Sequence, residues 1–178
     1  MSKRTLPETD EPSPPSADDP RLSAWRAFLY ARSTIMPRLD DELRRECGLT
    51  LAEFDALAQL AFAPERRLRM GDLADRVLLS RSGVTRLVDR LERDGDVRRD
   101  ACAPDGRGAY AVLTDRGHAR VRAAMPVHLA AVDTHFLDHI EANEFGPVAE
   151  ALGRVARANG RPVPSAQVSA AALRRLTD

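Results

Sequence analysis

The sequence predicts a mainly α-helical protein that carries one β-hairpin, and three observations support this fold class. Apolar residues recur every three or four positions over most of residues 22–160, which is the period of an α-helix. After residue 96 this period gives way to two short extended segments on either side of a turn sequence. The chain has 178 residues, of which 43% are hydrophobic and 30% charged, values typical of about one globular domain.

The first predicted element is a long helix over residues 22–48. Pro37 interrupts its pattern and predicts a kink or a local break, and Gly48 is a plausible stop. Residues 1–20 are rich in proline, serine and acidic residues with little to bury, so they are expected to form a disordered tail. The apolar face of the helix consists of Leu22, Trp25, Phe28, Leu29, Ile35, Met36, Leu39 and Leu43.

Three shorter helices are predicted next. Thr50 and Glu53 have the spacing of a capping box, and the helix that they begin is expected to end at Pro64. A short helix over residues 70–77 is followed by a turn at residues 78–79, and Ser80 is a good N-cap for the next helix. Because two helices join at a tight turn, this stretch predicts a helix-turn-helix motif. The apolar face of its second helix consists of Val84, Leu87, Val88 and Leu91.

The hairpin and two more helices complete the expected fold. The predicted strands are Val97–Ala101 and Ala109–Leu113, joined by the turn residues 104–108. Thr114 is expected to cap a long helix that Pro126 bends, and Asn143 a last helix that ends at Gly160. Residues 161–178 form a C-terminal extension. The apolar face of the long helix consists of Val121, Met125, Leu129, Val132, Phe136 and Ile140.

The second helix of the motif presents polar side chains opposite its apolar face. Arginine can bind a guanine edge or a phosphate through two hydrogen bonds, and short hydroxyls contact base edges or phosphates. The net charge of the chain is zero, but residues 66–122 hold 14 arginines against nine acidic residues, so this region suits a polyanion. The alternative to DNA binding is that these side chains form an ordinary solvent-exposed helix face. The outward and flanking residues are Arg81, Ser82, Thr85, Arg86, Asp89, Arg90 and Arg93.

The order of these motifs resembles the MarR family. Residues 79–95 look like its recognition helix, and they are followed by the wing motif Asp105-Gly106-Arg107 and by the helix start at residues 113–117. The resemblance implies a MarR-type domain over residues 21–160. Within it, a winged helix-turn-helix lobe would span residues 50–115, and a helical dimerisation lobe would comprise residues 22–48 and 114–160.

The resemblance also implies a sequence-specific regulator of transcription, by default a repressor. It would bind double-stranded DNA at a near-palindromic operator as a homodimer. Arg107 would enter a minor groove and Asp105 would orient the wing, although Gly106 and Gly108 leave this wing a single cation. The expected DNA-binding residues are Ser80, Arg81, Ser82, Gly83, Thr85, Arg86, Arg90 and Arg107.

Many members of the family bind a small aromatic or phenolic effector between the dimer helices and the DNA-binding lobe, and some have no known effector. No set of residues here identifies such a ligand. Trp25 has core or dimer packing as its alternative role. The residues expected to line an effector cavity are Trp25, Phe28, Leu29, Phe54, Leu57 and Met125.

Other classes of protein are disfavoured. The sequence lacks a nucleophile elbow, a phosphate-binding glycine loop and an H-E-x-x-H motif, so neither an enzyme nor a cofactor is expected. His135 and His139 have a spacing that suits a metal, but an exposed or dimer-interface stripe is favoured over a metal site. Cys47 and Cys102 fit neither zinc nor C-x-x-C redox spacing, and a structural or incidental role is favoured over redox sensing.

The longest apolar runs, among them Ala109–Leu113, have five residues, far fewer than the ~20 of a membrane-spanning helix. No secretory signal is expected, and a cytoplasmic protein without membrane contact follows by default. The competing hypothesis is an architectural or protein-interaction module with a winged helix, which needs no small-molecule ligand.

Overall fold

The computed structural model describes residue 16 and residues 18–77, 79–101 and 109–160. These residues form helices and one small antiparallel sheet, which confirms the predicted fold class. The predicted tail, the wing residues Asp105 and Arg107, and the extension 161–178 lie wholly or largely outside this part of the chain. The elements are α1 (Arg21–Cys47), α2 (Leu51–Phe62), β1 (Arg67–Arg69), α3 (Met70–Arg76), α4 (Arg81–Arg93), β2 (Val97–Ala101), β3 (Ala109–Leu113), α5 (Asp115–His135) and α6 (Phe145–Ala158).

The chain divides into two compact units at Thr34 and Ile35, inside α1. In the first unit, the side chain of Asp19 accepts a hydrogen bond from the backbone N–H of Arg21 at 2.8 Å, at the start of the helix. The rings of Trp25 and Phe28 stack with their centroids 5.9 Å apart. The second unit holds the remaining elements.

The junction of α1 and α2 forms as the sequence predicts. Helix α1 continues through Pro37 and ends before Gly48, whose φ of +62° is unfavourable for other residues. The Thr50 hydroxyl accepts the N–H of Glu53 at 3.1 Å, and the Glu53 carboxylate accepts the N–H of Thr50 at 2.9 Å. This capping box satisfies two N–H groups that the first turn of α2 leaves without helical partners.

The sheet has three strands in the order β1-β3-β2, whereas the sequence predicted only the β2–β3 hairpin. The bounds of β2 and β3 are confirmed, and Val97 pairs with Leu113. The missed strand β1 pairs antiparallel with β3, where Arg69 lies opposite Tyr110. Hydrophobic periodicity does not predict strand β1, because the strand has three residues, of which only Leu68 is buried.

One apolar cluster joins the elements of the winged lobe. Its members come from the end of α1, from α2, α3, α4, the sheet and α5, and the side chains of Leu57, Leu73 and Leu87 are almost wholly buried in it. Burial of a leucine side chain contributes about 1.5–3 kcal/mol to folding. The cluster therefore holds α3, α4 and the sheet in a fixed arrangement, from which the opposite side of α4 faces solvent.

The C-terminal part departs from the expected pattern at two places. Helix α5 continues through Pro126 but ends at His135, and a 3₁₀ turn follows over Leu137–His139. The predicted continuation of this helix to Ile140 is wrong, as is the predicted cap at Asn143, because α6 begins after Glu144 without a side-chain cap. No helix in the described part of the chain is long and apolar enough to cross a membrane.

Candidate nucleic-acid interface

The turn between α3 and α4 is held by hydrogen bonds at both of its ends. The N–H of Leu79 donates to the carbonyl of Ala74 at 3.1 Å, and the Ser80 hydroxyl accepts the N–H of Gly83 at 3.1 Å. A Cβ on Gly83 would lie 3.1 Å from this hydroxyl and 3.5 Å from the Cβ of Leu79. A glycine at position 83 therefore leaves room for the N-cap hydrogen bond of α4, and it would also allow DNA to approach closely.

Helix α4 has one buried face and one exposed face. Its buried face consists of Val84, Leu87, Val88 and Leu91, as the sequence predicts. The predicted DNA-binding residues of this helix all lie outside the core, and only Gly83 among them is half-buried. Those whose side chains are exposed are Ser80, Arg81, Ser82, Thr85, Arg86 and Arg90.

The hydroxyl groups of the exposed face already have partners in the chain. The Oγ atoms of Ser80 and Ser82 lie 3.2 Å apart, and the Thr85 hydroxyl donates to the carbonyl of Arg81 at 2.9 Å. A hydroxyl oxygen that donates to its own helix still has lone pairs that can accept from a base amino group. These bonds hold the hydroxyl groups in fixed orientations on the exposed face.

The arginines of α4 differ in their partners. Arg81 and Arg86 form no ion pair within the described residues. In contrast, the Nε of Arg90 lies 3.2 Å from Oε1 of Glu53, the capping-box residue of α2. Arg90 is thus tied to α2, and a phosphate would have to compete with Glu53 for it. Arg81 and Arg86 are therefore available to an external anion, whereas the Nε of Arg93 donates to a backbone carbonyl of its own helix at 3.2 Å.

Arg99 on β2 braces α4, a role that the sequence analysis missed. Its guanidinium donates to Oε2 of Glu92 at 2.9 Å and lies 2.6 Å from Oδ1 of Asp89. Its Nη2 also donates to the carbonyl of Thr85 at 3.3 Å. Strand β2 thereby holds three positions along α4. The sequence does contain a signal for this contact, because Arg99 lies on a predicted short strand that follows a helix with acidic side chains.

A buried aspartate after α4 connects three elements. Asp96 has no solvent exposure, its Oδ2 pairs with Nη1 of Arg120 on α5, and its Oδ1 lies 3.3 Å from Nε of Arg116. Nη2 of Arg120 also donates to the carbonyl of Gly48 at 2.8 Å, so one guanidinium links the α4–β2 turn to the α1–α2 turn. A Cβ on Gly117 would lie 2.1 Å from the carbonyl oxygen of Asp96, which explains why α5 needs a glycine there.

The residues predicted to line an effector cavity occupy two kinds of environment. Trp25, Phe28 and Leu29 are exposed in the first unit. In the second unit, Phe54, Leu57 and Met125 are buried in the core cluster. A shared cavity for these six residues stays a prediction.

The histidines and the described cysteine show no arrangement for metal or redox chemistry. The described residues contain no group of three or more His, Cys, Asp or Glu side chains that could hold a metal. Nε2 of His135 lies 2.6 Å from Oε1 of Glu42, and His139 lies beyond the end of α5, so the two histidines do not share a helix face. Burial raises the pKa of the Cys47 thiol, which disfavours the reactive thiolate. Cys102 lies outside the described residues.

Comparisons with known proteins agree with this geometry. The sequence profile of the MarR family matches residues 48–108. The structure resembles that of Sco3205, a MarR family transcriptional regulator from Streptomyces coelicolor solved in complex with DNA. The TM-score is 0.76 and the identity 34%, over 84% of this chain and 92% of that one.

Two relatives show the same kinship by sequence. The HTH-type transcriptional regulator YkoM of Bacillus subtilis is 32% identical over 65% of this chain and 73% of its own. The HTH-type transcriptional repressor Mb2911 of Mycobacterium bovis is 34% identical over 60% of this chain and 76% of its own. The chain therefore belongs to the MarR family, a family of transcriptional regulators and not of enzymes.

Proposed function

We propose that this MarR-family regulator represses transcription by binding a near-palindromic DNA operator as a homodimer in the cytoplasm. The observation that carries the proposal is the exposed face of α4, where Arg81 and Arg86 stand next to oriented hydroxyl groups while the opposite face is buried. An α-helix with this division fits the major groove, where side chains reach base edges. The wing tip with Arg107 would add a contact in the minor groove, and Asp105 would orient it.

We assign base reading to Ser82, Thr85 and Arg86, and phosphate contacts to the other arginines of the exposed face, Arg81 and Arg90. Arginine can bind the O6 and N7 atoms of guanine through two hydrogen bonds, which distinguishes that base from the others. Phosphate contacts supply affinity without sequence information. Support from a relative comes from Sco3205, which was solved with DNA.

Exposed apolar side chains support the homodimer. In the first unit, 55% of Trp25 and 72% of Tyr30 are accessible. In the second unit, Leu152 and Val155 on α6 are accessible to 42% and 61%. Large apolar residues that cluster at a surface mark interaction sites, and a second copy of the chain would cover them. We assign dimerisation to residues 22–48 and 114–160, around the DNA-binding lobe of residues 50–115.

Repression follows from the physical effect of a bound dimer, which occludes a promoter, and the relative Mb2911 is described as a repressor. A small aromatic or phenolic ligand would release the DNA only if it binds more tightly to a dimer whose two α4 helices are misplaced. Because Trp25 is the only tryptophan, its fluorescence is a suitable probe for such ligands.

The test is selection of bound duplexes from fragmented genomic DNA, followed by fluorescence anisotropy on the best fragment at two salt concentrations. We expect an enriched inverted repeat with half-sites about one helical turn apart, and binding that weakens steeply with salt. Salt-sensitive binding without sequence preference would indicate an architectural role. Absence of binding to any duplex would favour a protein-interaction module.

A further inference from the structure

The exposed face of α4 carries a carboxylate next to its base-reading residues. Asp89 follows Thr85 by four positions and Arg86 by three, and residues at these spacings lie on the same side of a helix. In the structure, 47% of the Asp89 side chain is accessible. A duplex that meets Thr85 and Arg86 would therefore come close to this carboxylate, whose negative charge repels phosphates.

Arg99 on β2 holds the Asp89 carboxylate. Its Nη2 lies 2.6 Å from Oδ1 of Asp89, and its Nη1 donates to Oε2 of Glu92 at 2.9 Å. The same Nη2 donates to the carbonyl of Thr85 at 3.3 Å. Because the guanidinium of arginine stays protonated in proteins, both carboxylates of α4 face a permanent positive charge.

We propose that Arg99 is a positioning residue for DNA binding, which neutralises the Asp89 carboxylate and holds it on the β2 side of α4 when a duplex approaches. The inference rests on the proposed function, because it assumes that the exposed face of α4 meets DNA. Arg99 acts through Asp89 and not by contact with a phosphate, since its guanidinium serves acceptors on α4 and only 28% of its side chain is accessible.

The two carboxylates depend on Arg99 to different degrees. Glu92 is also held by the backbone of β2, because its Oε1 accepts the N–H of Arg99 at 2.9 Å. This bond survives replacement of the Arg99 side chain. The pair of Asp89 with Arg99 is formed by side chains alone, so loss of the guanidinium would release the Asp89 carboxylate toward an approaching duplex.

The chain supplies a matched control in Arg98, the preceding residue of β2. Neighbouring residues of a strand point to opposite faces of the sheet, and Arg98 pairs with Asp100 of its own strand. Arg98→Gln and Arg99→Gln remove the same charge from the chain, but only Arg99→Gln leaves Asp89 without this partner. The double variant with Arg99→Gln and Asp89→Asn loses one charge of each sign, so it keeps the net charge of the wild type.

The experiment measures binding of the full-length protein to its selected operator by anisotropy over a series of salt concentrations. We expect Arg99→Gln to weaken binding roughly fivefold near physiological salt, and this loss should shrink as salt screens the released carboxylate. The ratio of operator to scrambled-duplex affinity should stay unchanged, because the repulsion acts on phosphates. The double variant should recover the affinity of the wild type, and Arg98→Gln should match the wild type.

Two further variants separate the charge from the fold. Arg99→Lys keeps the charge and should lose less affinity than Arg99→Gln. Asp89→Asn leaves Arg99 in place and removes the carboxylate, so it should bind at least as tightly as the wild type, whatever the stability of the Arg99 variants. Thermal unfolding of each variant verifies its fold.

Each remaining outcome overturns the inference. If the wild type binds its operator and Arg99→Gln binds equally well, Asp89 needs no neutralisation although the proposed function stands. Equal losses in Arg98→Gln and Arg99→Gln would mean that only net charge matters. A loss that persists at high salt and in the double variant would show that Arg99 only supports the fold. Weaker binding by Asp89→Asn would mean that this carboxylate favours binding. If the wild type binds no duplex, both the inference and the proposed function fail.

Discussion

The arginine side chains of α4 differ in the partners that they already have within the chain. Arg86 is exposed and forms no ion pair in the described part of the chain, so its guanidinium is available to a base edge. We expect Arg86→Ala to weaken binding to the selected operator by about 1–3 kcal/mol and to relax base preference at one position of each half-site. Anisotropy with the operator and with single-base variants measures both effects.

The control for this substitution is Arg45→Ala. Arg45 is also exposed, but it lies on α1 and pairs with Glu46 at 3.0 Å. The Arg45→Ala substitution should leave the ratio of operator to scrambled-duplex affinity unchanged. If Arg86→Ala also leaves this ratio unchanged, Arg86 contacts only phosphate or solvent, and the assignment of base reading to this side chain is incorrect.

Asp96 is a buried charge that connects the end of α4 to α5, and so stabilises the position of the candidate DNA-binding helix. Its carboxylate has no solvent exposure and pairs with Arg120 and Arg116, so its removal leaves the guanidinium of Arg120 without its main partner. Breaking such a buried pair costs about 3–5 kcal/mol. We therefore expect Asp96→Ala to lower the free energy of unfolding by about 3 kcal/mol in urea titrations.

Asp94 provides the comparison, because its half-exposed carboxylate lies 3.8 Å from the same guanidinium. Surface pairs of this kind contribute about 0–1 kcal/mol, so Asp94→Ala should have a small effect. A similar free energy of unfolding for the two variants would show that the pair with Arg120 does not stabilise the fold.

At the scale of elements, local signals explain which parts of the fold were predictable. The caps at Thr50, Ser80 and Thr114 act through neighbouring residues, so the starts of α2, α4 and α5 could be read from the sequence. Strand β1 depends on pairing with β3, more than 40 residues later, and its own three residues carry no periodic signal.

The same distinction applies to the candidate site. The exposed residues of α4 follow from helical periodicity alone. In contrast, Arg99 and Arg120 acquire their structural roles from partners on other elements, such as Glu92 and Gly48. The sequence contains many arginines, and it does not show which of them will have a structural partner on another element.

The contact between α2 and α5 should make stability depend on pH. The ring of His128 packs on Phe54 with centroids 4.5 Å apart, and desolvation lowers the pKa of His128 below its usual 6.5. The unfolded chain therefore binds a proton more readily than the folded chain. Consequently the free energy of unfolding should fall as the pH drops through 6.5, with the loss complete below the folded-state pKa.

Urea titrations at fixed protein concentration between about pH 7.5 and 5.5 test this contact. The contribution of His128 should be less than about 1.4 kcal/mol per pH unit, since the half-buried ring stays partly solvated. His128→Phe keeps an aromatic ring against Phe54 and removes the titration, so its stability should fall less steeply. Parallel pH profiles for the variant and the wild type would contradict the assignment.

At the scale of the whole molecule, the proposed regulator depends on two α4 helices acting together. A dimer that places one helix on each half-site turns the second contact into an intramolecular event, which raises affinity about 10²–10⁴-fold over one half-site. This gain requires a fixed distance between the two helices. Arg120 pairs with Asp96 and donates to the carbonyl of Gly48, so it connects the end of α4 to α5 and to the α1–α2 turn. Helix α5 lies within one proposed dimerisation segment, and the α1–α2 turn lies at the end of the other.

Replacement of the apolar residues of α6 tests this dependence. Leu152 and Val155 lie three positions apart on α6 and are largely exposed, so Leu152→Glu with Val155→Glu would put two like charges into a dimer interface. We expect this variant to sediment as a folded monomer and to bind the full operator about 100-fold more weakly, while its affinity for a single half-site stays unchanged. Arg154→Ala is the control on the same helix, because its side chain is exposed and pairs only with Glu150 at 2.6 Å among the described residues. A dimer that survives the double substitution would place the interface on other elements, and loss of half-site binding would mean that α6 supports the DNA-binding lobe itself.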